Sequence, residues 1–251
     1  MGKDNIKEIK PAEARLRTDC LIEAKIDGSA LEWDGSDVTS DRDCNRNARF
    51  PHVVAELRKI NWHVRGEIAV PYGNVLNLTS ENWPKSRFYI FGLFDVNGHN
   101  WRDAPAEDAR RKLLEIFGSN SFTHLRLPTS WENFDEAWEY VESNKREGVV
   151  LKVKGLRGKE FKVKLLEEGK LPIVSLESGK AHGSFLIQSP NGEVSKASAL
   201  GDQFIKDYEA LLILGEQPYA EIEYPFLTPK RQVPFQPRLR RVGTMEELQT
   251  T

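Results

Sequence analysis

A lysine interrupts a strand-like run near the start of the chain. The stretch CLIEAKIDGSALEWDG covers residues 20 to 35, and residues 19 to 40 alternate in the manner of two β-strands joined by a turn at Gly28 or Gly35. Lys25 lies inside this run, between Glu23 and Asp27. It is either a solvated lysine at a sheet edge or an amine held in a pocket, where desolvation favours the neutral, nucleophilic form.

The composition indicates a globular protein without membrane contact. The 251 residues are 39% hydrophobic and 29% charged with a net charge of −2, and they suffice for one large domain or two modest ones. No apolar run approaches the ~20 residues that span a bilayer, and the charged start lacks a secretory signal. The two cysteines and five scattered histidines predict neither disulfides nor a zinc site. We therefore expect a cytoplasmic protein.

The periodicity of the first two thirds predicts alternating helices and strands. The ranges 50 to 60, 103 to 118 and 131 to 145 have helical spacing, and Asp103 with Pro105 marks the start of the clearest helix. Strands are predicted at 63 to 71, 87 to 96, 147 to 155 and 159 to 166. We expect an α+β domain over residues 1–166.

The pattern changes after Leu166. The segment EEGKLP (167 to 172) is polar and is typical of a linker, and short strand-like runs follow it. The turn residues of Ser189 to Gly192 predict a hairpin. Many short strands over about 75 residues match the size of a five-stranded OB-fold barrel, so we predict a second, OB-fold domain over residues 167–251.

Seven short motifs follow one another along the chain. They are EAKIDG (23–28), SDR (40–42), RGEIAV (65–70), FGLFDVNGHNWRD (91–103), EGVVLK (147–152), FKVK (161–164) and PFQPRLRRV (234–242). Each motif is a weak signal alone. In this order and spacing they resemble the covalent nucleotidyltransferase superfamily of ATP-dependent polynucleotide ligases and mRNA capping enzymes. The chain as a whole is most similar to minimal, two-domain ATP-dependent DNA ligases.

The resemblance implies a lysyl-AMP chemistry at the first motif. Lys25 would attack the α-phosphate of ATP, expel pyrophosphate and keep AMP as a phosphoramidate, and Asp27 would assist the final attack by a 3′-hydroxyl. The implied nucleotide site comprises Glu23, Lys25, Arg42, Glu67, Phe91, Glu147, Lys162 and Lys164. In it Phe91 would stack on the adenine, and Glu67 and Glu147 would be ligands of Mg²⁺ or Mn²⁺, which prefer such oxygen donors.

The implied partner is nicked double-stranded DNA, bound by a monomer active in repair, replication or recombination. Basic residues that would contact the nucleic acid are Arg42, Lys154, Arg157, Lys159, Arg238, Arg240 and Arg241. Because such contacts are made to phosphates, we expect DNA binding to fall steeply with salt. A Gly-Lys-x-x-Gly turn at 179–183 also resembles the OB domain of DNA ligases.

Two positions depart from the DNA ligase pattern and leave alternatives open. Ala30 stands where DNA ligases commonly have an arginine, and Gly92 stands where an aspartate often follows the stacking phenylalanine. The alternatives are an RNA ligase or capping-type nucleotidyltransferase, and a nick-binding module without catalysis. Because all five charged site residues of the motifs are present (Lys25, Glu67, Glu147, Lys162 and Lys164), we favour an enzyme.

Overall fold

The chain divides into two compact units, Met1–Lys164 and Leu165–Thr251. The structure is a computed structural model and describes residues 6–71, 73–177, 183–199 and 201–250. The sequence placed the domain boundary after residue 166. Most of the turn predicted at 179–183 lies outside the described residues.

The first unit contains two β-sheets. Its strands are β1 (Lys7–Glu8), β2 (Cys20–Lys25), β3 (Ser29–Trp33), β4 (Val38–Ser40), β5 (Trp62–Ala69), β6 (Arg87–Val96), β7 (His99–Asn100), β8 (Leu125–Arg126), β9 (Ser130–Trp131), β10 (Gly148–Val153) and β11 (Glu160–Lys164). The first sheet has the order β1-β11-β10-β2-β9. The second has the order β4-β3-β5-β6-β7, and β8 pairs with β6. The run around Lys25 therefore supplies adjacent strands to different sheets.

Among the described residues of the first unit, four α-helices accompany these sheets. They are α1 (Pro11–Arg15), α2 (Pro51–Leu57), α3 (Ala106–Ser119) and α4 (Phe134–Ser143). The helix α2 begins with Pro51, whose missing N–H costs nothing in a first turn. The helix α4 begins after Asn133, whose side chain accepts the backbone N–H of Asp135 at 2.8 Å. All three predicted helices are thus present, with ends displaced by a few residues.

One face of the second sheet packs against α2 and α3 and forms the main core. Trp33, Trp62 and Phe88 are fully buried in it, together with Leu57 of α2 and Leu113 of α3. Along β5 the even-numbered residues are buried and residues 63, 65 and 67 are only partly buried. This alternation directs Glu67 away from the core, toward the opposite face of the sheet.

The second unit is a small closed β-barrel. Its elements are β12 (Glu167–Glu177), β13 (Gly183–Gln188), β14 (Val194–Ala199), α5 (Asp202–Ile213), β15 (Tyr219–Tyr224), β16 (Arg238–Gly243) and α6 (Met245–Gln249). The barrel order is β12-β13-β14-β16-β15. The predicted hairpin turn is present, with Gly192 N–H donating to Ser189 O at 2.9 Å. Phe185, Ile187 and Ile222 are fully buried in this core, which Tyr208 of α5 also contacts.

The prediction of a linker at residues 167 to 172 is wrong. These residues form the first half of β12 and pair with β15, from Glu167 opposite Tyr224 to Pro172 opposite Tyr219. Their polarity is typical of a strand with solvent on one side. Gly169 is opposite Ile222, and a Cβ there would lie 3.3 Å from the Tyr224 ring, so a small residue suits this position.

Two further expectations need correction. Residues 20 to 40 form three strands rather than two, because both Gly28 and Gly35 lie in turns. The helix α5 was not predicted, although Tyr208 and Leu211 have the spacing of one buried helical face. The strand-like runs on either side of α5 dominate the hydrophobic pattern of this region. Among the helices of the described residues, none combines the length and the apolar character needed to cross a membrane.

Gly148 provides a test of the first sheet. Its φ is +147°, and a Cβ added to it would lie 1.9 Å from the Val163 carbonyl oxygen. We expect Gly148→Ala to lower the free energy of unfolding by about 2 kcal/mol or more, measured by denaturant titration. The control is Gly118→Ala, where a Cβ meets nothing within 4 Å, and which should leave stability unchanged or raise it by up to about 1 kcal/mol. Equal effects of the two changes would contradict the register of β10 with β11.

Candidate active site

Lys25 is the last residue of β2, and its side chain is held in an ion pair. Its Nζ donates to Glu147 Oε2 at 2.8 Å, and the two side chains are only 22% and 12% exposed. The lysine is therefore not a solvated residue at a sheet edge. Of the two interpretations of the opening motif, the geometry agrees with an amine held in a pocket.

Glu147 is shared by two lysines because β10 lies between β2 and β11. In the register of the sheet, Gly148 is opposite both Lys25 and Lys164. The neighbouring Glu147 carboxylate consequently lies 2.8 Å from Lys25 Nζ and 3.0 Å from Lys164 Nζ. One carboxylate thus joins the first and the last lysine motifs of this unit.

Glu67 brings the second sheet to the same cluster. Its Oε1 accepts the backbone N–H of Gly28 at 3.2 Å. Only glycine permits this approach, since a Cβ on Gly28 would lie 2.2 Å from the Ile68 carbonyl oxygen. Burial raises the pKa of Glu67 to about 7; the Glu147 and Asp27 charges add to this effect and the Lys25 charge opposes it.

Asp27 is the third carboxylate of the cluster. Its side chain accepts the backbone N–H of Val75 at 3.2 Å, which fixes it against the short 3₁₀ turn Val75–Asn77. Burial raises the pKa of Asp27, and the Glu147 charge raises it further. The cluster therefore holds three carboxylates and two lysines. Pairing of the opposite charges offsets the cost of removing them from water.

A second, more deeply buried network lies around Glu23. Its side chain is 3% exposed, with Oε2 2.7 Å from Lys152 Nζ and Oε1 3.3 Å from an Arg110 nitrogen. Lys152 also donates to the Phe91 carbonyl oxygen at 2.9 Å, and its ammonium lies 5.7 Å from the centroid of the Phe91 ring. The structure therefore links Glu23 and Phe91, which the sequence had assigned to one site.

The sequence analysis missed Lys152 and Arg110. Lys152 closes the EGVVLK motif, where a lysine flanked by the apolar residues Leu151 and Val153 could have signalled a buried cation. Arg110 shares the buried face of α3 with Leu113 and Ile116, so helical spacing alone could have indicated it. Burial of these two residues was not predicted, because lysine and arginine are usually solvated.

Other predicted site residues lie outside these contacts. Lys162 Nζ is 3.9 Å from Glu8 Oε2 of β1, and its backbone carbonyl accepts the N–H of Ile9 at 3.0 Å. Arg42 is exposed in the turn after β4. Nearby, Arg65 of β5 lies 3.3 Å from Asp41, which joins that turn to the second sheet.

The predicted nucleic-acid contacts lie on exposed surfaces of the two units. In the first unit, Lys154 pairs with Glu132 at 2.5 Å, Arg157 pairs with Asp103 at 2.6 Å, and Lys159 is exposed. These ion pairs are solvated, so each contributes little to stability and can be exchanged for a phosphate.

In the second unit, the three arginines lie on or at the start of β16. Arg238 is exposed, Arg240 pairs with Glu223, and Arg241 is 4.0 Å from Glu221. In the pairing of β16 with β15, Arg238 is opposite Glu223 and Arg241 is opposite Glu221.

The described residues contain no group of three or more His, Cys, Asp and Glu side chains arranged to hold a metal. Mg²⁺ in nucleotide enzymes is usually bound by one or two carboxylates, and phosphates and water complete its shell. The half-buried side chains of Glu67 and Glu147 would be these carboxylate ligands. They fit a divalent cation because their donor atoms are carboxylate oxygens.

The fold is similar to the folds of solved DNA ligase structures. No protein-family model matches the chain, and no curated protein matches its sequence. A solved structure of Lig E DNA ligases, described as binding DNA with a minimal scaffold, has a TM-score of 0.68 at 17% identity. That likeness covers 95% of this chain and 97% of the Lig E chain.

Two further structures give the same picture. A mycobacterial DNA ligase D complexed with ATP has a TM-score of 0.53 at 17% identity, covering 98% of this chain and 97% of that one. A structure described as Pmar-Lig_Pre has a TM-score of 0.68 at 15% identity, covering 94% of this chain but 66% of its own. At such identities the likeness is one of fold. The resemblance to minimal ATP-dependent DNA ligases is confirmed at that level over nearly the whole chain.

The raised pKa of Glu67 predicts a pH-dependent stability. Between about pH 4.5 and 7 the carboxyl is protonated in the folded protein and ionised in the unfolded one, so rising pH favours unfolding. Glu67→Gln removes this effect. In the absence of nucleotide and divalent cations, we expect the variant to gain about 3 kcal/mol relative to the parent protein between pH 4.5 and 8.

The measurement is the free energy of unfolding across this pH range. Glu139→Gln, at an exposed position of α4, is the matched control and should follow the parent profile. A difference between Glu67→Gln and the parent that stays constant with pH would show that the pKa of Glu67 is the same in the folded and the unfolded protein.

Proposed function

We propose that this protein is an ATP-dependent DNA ligase that seals 5′-phosphate/3′-hydroxyl nicks in duplex DNA through a lysyl-AMP intermediate. The observation that carries the proposal is the half-buried Lys25 amine, bonded to Glu147 beside Lys164 within a ligase fold. A non-catalytic nick-binding module needs no such arrangement. Retention of the whole charged cluster therefore favours an enzyme.

The first step forms a bond between Lys25 Nζ and the α-phosphorus of ATP. The bond from that phosphorus to the bridging oxygen breaks, and pyrophosphate leaves with the electron pair. Because only the unprotonated amine attacks, Nζ has to lose a proton. The Glu147 carboxylate, 2.8 Å away, is close enough to accept it.

The surrounding cations and carboxylates suit a triphosphate. Lys162 and Lys164 are two residues apart on β11, so their side chains lie on the same face of that strand. Both amines can therefore contact the same phosphate group. Glu67 and Glu147 would hold Mg²⁺ (or Mn²⁺), which when bound supplies positive charge against the phosphate oxygens. Lys164 adds a fixed positive charge of the protein to the same site.

The base of the nucleotide has an aromatic partner in this proposal. Phe91 would stack on the adenine, and Glu23 lies two residues before Lys25 on β2. The link from Glu23 through Lys152 to the Phe91 carbonyl supports placing both residues in one nucleotide site.

The later steps need nucleic acid. A 5′-phosphate oxygen of the nick attacks the phosphorus of lysyl-AMP, and the Lys25 amine leaves. A 3′-hydroxyl then attacks the DNA 5′-phosphorus and AMP leaves, with Asp27 assisting. Arg42 would contact the 5′-phosphate, since it lies in an exposed turn joined to β5 through Asp41 and Arg65. These are the roles that the motif resemblance implies for the matching residues.

The DNA is proposed to contact basic residues of both units. In the first unit these are the hairpin residues Lys154, Arg157 and Lys159. The five-stranded barrel of the second unit has the strand number of an OB-fold, a common nucleic-acid-binding domain, and would contribute Arg238, Arg240 and Arg241. We propose that a monomer binds the nick and that repair, replication or recombination uses it.

Lys25→Ala tests the nucleophile. With Mg²⁺ and ATP labelled at the α-phosphate, the parent protein should become covalently labelled and the variant should not, because the proposed nucleophile is removed and Lys164, the second amine at Glu147, is proposed to bind phosphate instead. Lys112→Ala, on the surface of α3 and bonded to Glu115, should label like the parent. Labelling of Lys25→Ala at the parent level would contradict the proposed nucleophile.

The same labelled protein identifies the substrate. Discharge of the label by a nicked DNA duplex, with formation of sealed strand, is the expected result. Discharge only by nicked RNA would replace the DNA ligase with the RNA ligase alternative. An unlabelled parent protein, with ATP, GTP or NAD, would replace the enzyme with a binding module.

A further inference from the structure

We infer that Lys152 is a positioning residue that holds the two sheets of the first unit at a fixed separation beside the nucleotide. The inference rests on the proposed function and extends it to a residue that the motif roles leave without one. Lys152 lies on β10 of the first sheet, and its side chain is 8% exposed. Its ammonium contacts Glu23 of the same sheet at 2.7 Å and the Phe91 carbonyl of the second sheet at 2.9 Å.

The link spans the two sheets that carry the proposed nucleotide residues. Lys25, Glu147 and Lys164 belong to the first sheet or precede its strands, and Phe91 belongs to β6 of the second. A change in the spacing of the sheets would move the Phe91 ring relative to Lys25 Nζ. Because Phe91 is proposed to stack on the adenine, such a displacement weakens the binding of ATP.

Arg110 keeps Glu23 in place from the other side. Its guanidinium lies 3.3 Å from Glu23 Oε1 and donates to the Pro128 carbonyl oxygen at 2.7 Å and to Ser130 Oγ at 3.3 Å. Ser130 is the residue of β9 that pairs with Glu23 of β2. Contacts other than that with Lys152 thus hold the Glu23 carboxylate in place. The carboxylate can therefore orient the lysine ammonium toward the Phe91 carbonyl.

The charge balance of this network separates a positioning role from a structural one. The side chains of Glu23, Arg110 and Lys152 are 3%, 10% and 8% exposed, so one buried anion faces two buried cations. Removing one cation leaves a neutral pair. Removing the anion leaves two cations without their partner, which costs much more stability. Stability therefore depends most on Glu23, whereas the link to Phe91 depends on Lys152.

The test is Lys152→Met, which keeps the length and apolar stem of the side chain and removes the ammonium. We expect the KM for ATP in lysyl-AMP formation to rise about tenfold or more, while kcat changes less than about threefold. Lys152→Arg should recover part of the affinity, because its guanidinium can still donate to the Phe91 carbonyl. The control is Lys112→Met on the exposed face of α3.

Two comparisons decide between positioning and stability. Glu23→Gln should lower the melting temperature more than Lys152→Met does. Phe91→Leu should raise the KM for ATP, and combining it with Lys152→Met should add little, because both changes act on the same ring. Additive effects, or an unchanged KM in Lys152→Met, would overturn the inference. Absence of lysyl-AMP in the parent protein would instead overturn the proposed function.

Discussion

The Glu147 carboxylate, bonded to both Lys25 and Lys164, is the contact on which the candidate site depends. It exists because β10 lies between β2 and β11, so that residues of three motifs far apart in sequence meet at the same level of one sheet. Gly148 makes this possible, since a larger residue beside Glu147 would overlap the Val163 carbonyl. The register of the sheet and the chemistry of the cluster are therefore one constraint.

The second sheet completes the site through a division of its faces. The apolar residues of β5 pack against α2 and α3, and the alternate residue Glu67 is left to meet Gly28 and the Lys25 cluster. Burial destabilises the ionised forms of Glu67 and Asp27, and it raises the pKa of both carboxyls. Perturbed pKa values of this kind are concentrated at functional sites.

Local pattern predicted much of this fold, and long-range pairing accounts for the errors. The helices at α2, α3 and α4 follow from spacing and capping residues, and the strands β5 and β6 from alternation. The polar start of β12 looks like a linker because its pairing with β15 is not visible in sequence. Motif order indicated Lys25, Glu67 and Glu147, whereas Lys152 and Arg110 required burial, which only packing reveals. Arg42 remains a prediction from its motif alone.

The central claim is that Lys25 carries AMP, and peptide mapping by mass spectrometry tests it most directly. The protein is incubated with Mg²⁺ and ATP, digested, and the peptides are searched for the mass of an added AMP. We expect a single modified site at Lys25, and loss of the modification when nicked duplex DNA is added before digestion. Modification at Lys164 or another residue, with Lys25 unmodified, would contradict it.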